Sequence, residues 1–560
     1  MTGGPVTAVA LAAFRERRRR PAYLVVLLGT LALGLLAAPV GDSDFRIFQI
    51  SGYRGLYTSG YVGTVTALGG AVWLALAGFS ITRGTVLKDE RTGVGQILAA
   101  TPLGRIPYLL GTFLSNLLVL GSMLLALALT ALGTQLLKGE SYGVDLVRLF
   151  VPFVLITLPL LAVVAACAVL FDTVPGLRGG IGALVWFVVW LVGMMAAQSS
   201  GGYDLLGMDR IGDSMRTAIV AGGGPAASVH FGVGLTAADG ELATFDWAGL
   251  GPGDADGGLL LNSILLTGTS VLIATVAALW FRRFDPTTPV NRTGAPVAGA
   301  SGAFVRDATS ARGTAFVRGT AFVRNAATAP GSAGQSEPEA RRSASFDLDP
   351  ARMTPVRFGA SPLGTFFGAF SSEVRVLLKG VHPWWWAGTA ALLVTAALVD
   401  VDSLVVPVLA LAVLWPVLIW SRLGHRAEAG TVDDLLAACP GAGRRLLAGL
   451  SAGIAFGLLT ASVPILRLAV SGDVTAAAAG LGGVLFVPAL ALACGSLSRG
   501  PRLFQAGYPL LWYAMFNGVP ALDFLGSAPG EGPAVPAVMG AALFLALVGL
   551  AADTVRRARR

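Results

Sequence analysis

Residues 149–171 read LFVPFVLITLPLLAVVAACAVLF. No charge interrupts these 23 positions, and about 20 apolar residues suffice to cross the hydrocarbon core of a bilayer. Comparable runs lie near 22–40, 60–82, 107–137, 179–197 and 259–281, and again near 384–399, 403–420, 446–466, 474–495, 503–520 and 534–552. The 560-residue chain is 54% hydrophobic and only 13% charged, with a mean hydropathy of +0.71. Soluble domains carry roughly 25% charged residues, so an ordinary cytosolic enzyme is excluded. The pattern predicts an all-α polytopic membrane protein with about twelve transmembrane helices.

Charge predicts its orientation. Arg15-Glu16-Arg17-Arg18-Arg19-Arg20 precedes the first run, which is too long for a secretory h-region and reads as an uncleaved anchor. Another arginine run closes the chain at 556–560. An even number of spans puts both basic termini on one side, the cytoplasm by the positive-inside rule. With that assignment 33 of the 40 Lys+Arg and 15 of the 32 Asp+Glu lie inside, a balance of +18 inside against −10 outside. One span more or fewer would mix these signs. The split also accounts for the basic pI without nucleic acid as a partner. Every charge falls in a loop or near a span end, Arg467 and Asp553 being the closest to the interior. Ion-coupled carriers keep ionisable groups in the bilayer, so the energy source is expected elsewhere.

Residues 282–357 are rich in Ala, Gly, Ser, Thr, Pro and Arg, a composition that cannot bury a core. They read as a disordered cytoplasmic linker, with Gly313–Arg318 repeated at once as Gly319–Arg324. It separates two six-span halves of the same orientation, 1–281 and 358–560. A shift of 338 positions lays Ile97-Leu98-Ala99-Ala100-Thr101-Pro102 on Leu435-Leu436-Ala437-Ala438-Cys439-Pro440, and pairs Lys88 with Arg426, Glu90 with Glu428 and Gly111 with Gly449. Both hexapeptides fall in the cytoplasmic loop between the second and third spans of their half, which points to a duplication giving two tandem six-helix bundles.

That loop, residues 83–106, is long for a turn. A short amphipathic stretch ends at Pro102, and the expected arrangement is a surface helix with Ile97 and Leu98 toward the spans and Lys88, Asp89, Glu90 and Arg91 toward the cytosol. Such a loop offers a partner protein a charged handle on an apolar anchor. The copy from Arg426 to Arg445 has the same layout.

Asp89-Glu90-Arg91-Thr92-Gly93, followed by Leu98-Ala99-Ala100-Thr101-Pro102 and Arg105 just before a span, resembles the coupling loop of type-two ABC permeases, the membrane subunits of many bacterial exporters. The copy with Arg426, Glu428, Gly430, Thr431, Leu436, Pro440 and Arg444 is looser. Before the seventh span, Phe366, Phe367, Phe370, Val374, Leu377 and Leu378, with Glu373, Arg375 and Lys379, form an amphipathic segment similar to the interfacial connecting helix of that family. Trp512-Tyr513 with Asn517–Phe524 is similar to family sequences at the outer end of the eleventh span. The first half departs from the family: a basic run stands where the connecting helix should be, and its outer loop 198–258 far exceeds the corresponding 521–533.

The resemblance implies a multi-pass permease subunit of the cell membrane, both termini cytoplasmic, driven by two copies of a separate ABC ATP-binding subunit docked under the loops around Glu90 and Glu428. The chain has no Gly-x-x-x-x-Gly-Lys-Ser/Thr phosphate loop, so it is expected to be no enzyme and to bind no cofactor, with ATP and Mg held by the partner. The nearly uncharged interior suits efflux of an amphipathic or hydrophobic compound such as a drug, antibiotic, peptide or lipid. Asn116, Gln505 and Asn517 are candidates for the path between the halves, with interhelical hydrogen bonding the plainer reading. An ion-coupled carrier of the major facilitator type is the alternative, and the loop after the second span lacks that family's Gly-x-x-x-Asp-Arg-x-Gly-Arg-Arg pattern. An integral-membrane lipid enzyme would need a cluster of nucleophiles or carboxylates, whereas Asp400 and Asp402 are isolated acids in a tight outer loop. Cys167, Cys439 and Cys494 and the scattered His230, His382 and His425 have no metal-ligand spacing, so no metal is expected.

Overall fold

The computed structural model describes residues 4–19, 21–37, 45–50, 53–140, 143–198, 207–224, 231–237, 243–250, 257–281, 284, 362–379, 381–401, 404–424, 442–498, 500–517, 519–527 and 532–558. The chain divides into two units, Met1–Asp285 with Phe366–Arg560, and Pro286–Thr365. Apart from Pro362–Thr365, at the start of a helix, the second unit lies outside the described residues, and so does the expected linker except Phe284.

Helices dominate, because a backbone polar group facing lipid must find its partner within its own segment. In the first half they are α1 (Pro5–Arg18), α2 (Pro21–Ala37), α3 (Ser59–Thr82), α4 (Thr85–Thr92), α5 (Val94–Ala99), α6 (Arg105–Lys138), α7 (Leu146–Pro152), α8 (Leu158–Thr173), α9 (Gly180–Gln198), α10 (Met208–Ala221) and α11 (Gly257–Val276). A π-turn over Phe153–Thr157 joins α7 to α8. In the second half they are α12 (Pro362–Leu378), α13 (Pro383–Leu398), α14 (Ala410–Leu414) after a π-turn over Leu404–Leu409, α15 (Val417–Trp420), α16 (Ala442–Val470), α17 (Val474–Ser498), α18 (Arg502–Phe516) and α19 (Val535–Ala558).

Among the described residues seven helical segments are long and apolar enough to cross a membrane: Ser59–Glu90, Arg105–Lys138, Leu146–Thr173, Gly258–Leu279, Gly443–Val470, Val474–Ser498 and Val535–Val555. Val26–Leu35, Gly180–Ala196 and Leu404–Trp420 are shorter apolar helices. All twelve expected ranges carry helix, but five of these helices fall short of that length or are broken. Pro407 and Pro416 explain one of them, since proline removes a backbone donor and splits 404–420 into three pieces.

Two features were not visible in the hydropathy pattern. Arg15–Arg18 of the basic run belong to α1, whose Val9 packs on α6 so closely that a Cβ on Gly111 would lie 2.8 Å from it; the first half therefore has a helix where a bare basic run was expected. The second is a small sheet preceding α3 and following α10. Its strands β1 (Phe45–Ile50), β2 (Tyr53–Gly55), β3 (Phe231–Ala237) and β4 (Ala243–Phe245) run in the order β3-β1-β2-β4. β1 pairs antiparallel with β2 and β3, and β2 pairs parallel with β4. The long 198–258 loop thus contributes a helix and two strands to a cap formed by residues of the first half. Arg54 anchors the cap, donating to Glu140 at 2.7 Å, while the Tyr57 backbone N–H donates to the same carboxylate at 2.9 Å.

Packing is set by small residues. A Cβ on Gly63 would lie 2.4 Å from the Leu149 carbonyl, so α3 and α7 meet backbone to backbone there. Gly63→Ala should therefore force the two helices apart and destabilise the fold by about 1–3 kcal/mol. Gly121→Ala, on α6 where nothing lies within 4 Å, should be neutral or stabilising by up to about 1 kcal/mol. Thermal unfolding of both variants in one detergent checks the contrast.

The cap should respond to acid. Burial pushes the Glu140 carboxyl up, but the hydrogen bond from Arg54 and the Tyr57 N–H outweigh it and leave its pKa below the ordinary value. A carboxyl depressed by folding contributes stability above its unfolded pKa, and loses it as pH falls through the folded one. Wild type should thus melt above Glu140→Gln at pH 7, with the gap closing below the usual carboxylate range. An equal gap at all pH values would contradict this.

Candidate functional site

Trp186 and Trp190 lie one turn apart on α9. Their indole N–H groups donate to α3 carbonyls, Trp186 to Ala75 at 3.0 Å and Trp190 to Val72 at 2.9 Å. A buried indole needs such a partner, and a helical carbonyl has a second lone pair to offer. On α18 the Tyr508 hydroxyl donates to Val413 and the Trp512 indole to Ala410, both at 2.8 Å. The shift of 338 that aligns the two loop hexapeptides carries Val72 to Ala410 and Ala75 to Val413. The two halves therefore fasten their fifth helical range to their second by bonds at matching carbonyls.

These two fastened pairs face each other. Phe187 meets Trp512 edge-on with ring centroids 5.8 Å apart, and Trp190 meets Tyr513 edge-on at 5.0 Å. All these aromatic side chains are buried. α18 also packs on α3 and α15 on α9, and β3 touches α3, α9 and α18 at the capped end. The seam between the halves is thus an aromatic plug, closed at the sheet end by a strand of the first half.

Of the three amides proposed for the path, none sits in this seam. Asn116 is buried in the first bundle, accepting from Arg17 at 2.7 Å and donating to the Ala165 carbonyl at 3.2 Å. Asn517 donates to Tyr513 at the end of its own helix. Gln505 is half-buried on the first turn of α18. The three do not converge; Asn116 makes the interhelical bond of the plainer reading, whereas the Asn517 bond stays within its own helix. The aromatic residues that do meet were missed because periodicity cannot say which apolar faces of two helices oppose each other.

At the other end of α3 lies the loop 83–106. It is built as two helices, α4 and α5, divided by Gly93 at φ +77°. Gly84, at φ +83°, turns the chain out of α3, and α4 has no local side-chain cap. Asp172 of α8 supplies one: its carboxylate accepts from the Gly84 N–H at 2.7 Å and the Thr85 N–H at 2.9 Å. An anion there also complements the positive end of α4. Arg83, 3.9 Å away, neutralises Asp172 and donates to the Leu177 and Gly179 carbonyls. Arg502 of the second half reaches the same point, since a Cβ on Gly84 would collide with its guanidinium.

Successive side chains then tie α4 down. Arg17 bonds the Thr85 hydroxyl, Lys88 pairs with Glu16, Asp89 accepts from the Tyr108 hydroxyl at 2.7 Å, and Arg178 lies 3.3 Å from Glu90. Tyr108 stacks on Phe281 and meets Phe284 edge-on, and Phe284 fills the space beside Gly95. The first half thus extends to Phe284, past the expected boundary at 281.

This reverses the expected faces. Lys88, Asp89 and Glu90 are paired with the helical body, whereas Ile97 is 68% and Val94 42% exposed. Ile106, Pro102 and Arg105 are exposed beside them, while Leu98, as expected, and Leu103 turn inward. The side chain of Arg91 lies outside the described residues. The acids face inward because Arg178, Tyr108 and the α1 residues stand where helix α4 lands, neighbours that no local pattern reveals.

Of the second copy, Arg426, Glu428, Gly430, Thr431, Leu436 and Pro440 lie outside the described residues. Arg444 is exposed near the start of α16, and Arg445 is 4.0 Å from Glu373 of α12. Arg422 donates to the Leu377 and Lys379 carbonyls, joining α12 to the end of α15. Under the shift of 338, five residues around the first loop's attachment are exchanged, Arg83, Thr85, Asp89, Tyr108 and Asn116 corresponding to Ser421, Leu423, Ala427, Leu446 and Ile454, while Lys88 and Glu90 keep their charge as Arg426 and Glu428. Of the residues the first loop exposes, Val94, Ile97, Ala100 and Pro102 are matched by Val432, Leu435, Ala438 and Pro440, whereas Arg105 and Ile106 become Gly443 and Arg444.

No family model, curated protein or solved structure matches the chain.

Removing the cap should be costly. Asp172→Ala leaves two backbone N–H groups unpaired and Arg83 without its counter-charge, and should cost about 3–5 kcal/mol. Asp172→Asn, which keeps one acceptor, should cost less. Thermal melting in detergent ranks the two, and equal losses would show that a neutral acceptor cannot stand in for the carboxylate's charge.

Proposed function

We propose that this chain is the membrane-spanning permease subunit of an ATP-driven ABC exporter, with about twelve spans in two duplicated six-helix bundles and both termini cytoplasmic in the cell membrane. ATP hydrolysis falls to a separate ABC ATP-binding subunit, two copies per chain, one under each loop that follows a second span. The cargo is an amphipathic or hydrophobic compound, in keeping with an aromatic seam between the halves.

One observation carries the reading. The exposed apolar residues of the first loop, Val94, Ile97, Ala100 and Pro102, recur in the second copy as Val432, Leu435, Ala438 and Pro440. Retention of an apolar face that the first loop leaves exposed suits the same partner surface met twice. The docking contacts are therefore Ile97 and Leu435 with their neighbours. Lys88, Asp89 and Glu90 act as the struts that transmit motion to α1, α6 and α8, and a push on α4 reaches Asp172, Arg502 and so both halves. No ATP- or Mg-binding residue is assigned to this chain.

Gentle purification from the native membrane, with mass spectrometry of co-purifying proteins, tests this. Wild type should bring down an ABC ATPase at two copies per chain. Ile97→Glu should reduce it to one copy and Ile97→Glu with Leu435→Glu should abolish it, with insertion unchanged. Reproducible absence of any ATPase from the wild type, together with transport that follows a proton gradient in vesicles, would replace this reading with an ion-coupled carrier.

A further inference from the structure

The starts of the two seam helices meet at one cluster of charge. Arg502 is the first residue of α18, and its guanidinium lies against Gly84, where α3 hands over to α4. Arg83, the residue before Gly84, donates to the Leu177 and Gly179 carbonyls that lead into α9. Asp172 of α8 is the acid of the cluster, 3.9 Å from Arg83 and accepting from the Gly84 and Thr85 N–H groups. The halves also touch beside it, since a Cβ on Gly180 would lie 3.3 Å from the Leu418 side chain. Trp190 and Trp512 come ten residues after Gly180 and Arg502, so these rings lie about 15 Å farther along their helices.

The three charges are not alike. Arg83 and Asp172 are buried, at 8% and 4% exposure, while Arg502 is exposed. Removing either buried member would strand the charge of the other. Withdrawing Arg502 into water leaves a neutral pair behind. Its charge attracts Asp172 and repels Arg83, a balance that suits a reversible contact between the halves.

We infer that Arg502 is a latch between the halves, closed in this structure, whose release from Gly84 and Asp172 lets the seam part from the α4 end, opposite the strand cap. Glycine at 84 serves the latch as well as the left-handed turn, because a Cβ there would occupy the place of the guanidinium. The inference deepens the exporter reading and rests on it only in that a cargo path must open between the halves. No ATPase enters its test, so the two stand or fall separately.

Thiol labelling of the full-length chain in detergent provides that test, with Cys167, Cys439 and Cys494 replaced by serine and Phe187→Cys placed in the seam. Phe187 is buried, so its rate of modification by a small water-soluble thiosulfonate reads how often the seam is open. Arg502→Gln should raise that rate several-fold, up to about fivefold for a charge contact open to water, while Arg502→Lys, which keeps the charge, should stay close to wild type. Salt at about 1 M, which screens the exposed Arg502 far more than the buried pair, should raise the wild-type rate in the same way and leave the Arg502→Gln rate unchanged. Leu120→Cys, buried between α3 and α6, is the control and should label slowly throughout. An unchanged rate in Arg502→Gln would overturn the latch, as would a wild-type rate indifferent to salt. A rise shared by Leu120→Cys would overturn it too, by assigning Arg502 to the stability of the fold.

Discussion

A polar hydrogen buried among apolar helices must reach an acceptor, and the nearest are backbone carbonyls of the neighbouring helix. Trp186, Trp190, Tyr508 and Trp512 all meet this constraint against α3 and α14. Each bond fixes both the rotation and the height of one helix on another, because a donor displaced by one residue would face a different carbonyl. Dispersion between apolar helices gives no such register. With α9 locked to α3 and α18 to α14, the aromatic edges of α9 and α18 have one way to meet, and the seam between the halves follows.

The same economy governs the opposite end of α3. Helix α4 begins at a glycine in the left-handed region and has no capping side chain of its own, so its orphan N–H groups depend on Asp172 from α8. Asp172 in turn depends on Arg83 for its charge. Glu90, Asp89 and Lys88 continue the pattern, each finding its partner on a different element. A loop that hydropathy shows only as polar sequence between spans becomes a rigid elbow joined to four helices. The halves are unequal in this respect: the positions matching five of its fixing residues are Ser421, Leu423, Ala427, Leu446 and Ile454, which cannot make the same bonds. The cap of strands and α10 adds a second inequality at the other end. Two halves that share a helical plan thus differ in the residues at these positions and in the cap over the first.

Much was legible in the sequence: the membrane class, the helical ranges, and the helical character of the first loop. Apolar run length and a matched hexapeptide are local quantities, and locality is what a sequence displays. The amphipathic segment before α13 was legible for the same reason, since Phe370, Val374, Leu377 and Leu378 repeat at helical spacing and all pack inward in α12. Less was legible where the decisive neighbour is remote. Ile97 was expected to face the spans and is exposed, while Glu90 was expected to face the cytosol and is paired with Arg178, 88 residues away. Asn116 looked like a path residue and is a bracket between α1 and α8.

By itself, then, the sequence determined that this chain belongs in a membrane, is built of helices, and carries a repeated hexapeptide, because hydrophobic burial and helix formation are read from runs of adjacent residues. Only the tertiary structure decided which face of that loop is inward, which aromatic rings close the seam, and that Asp172 caps a helix distant in sequence. Those outcomes rest on the pairing of buried donors and acceptors between elements, and such pairings depend on the distances and angles that packing sets.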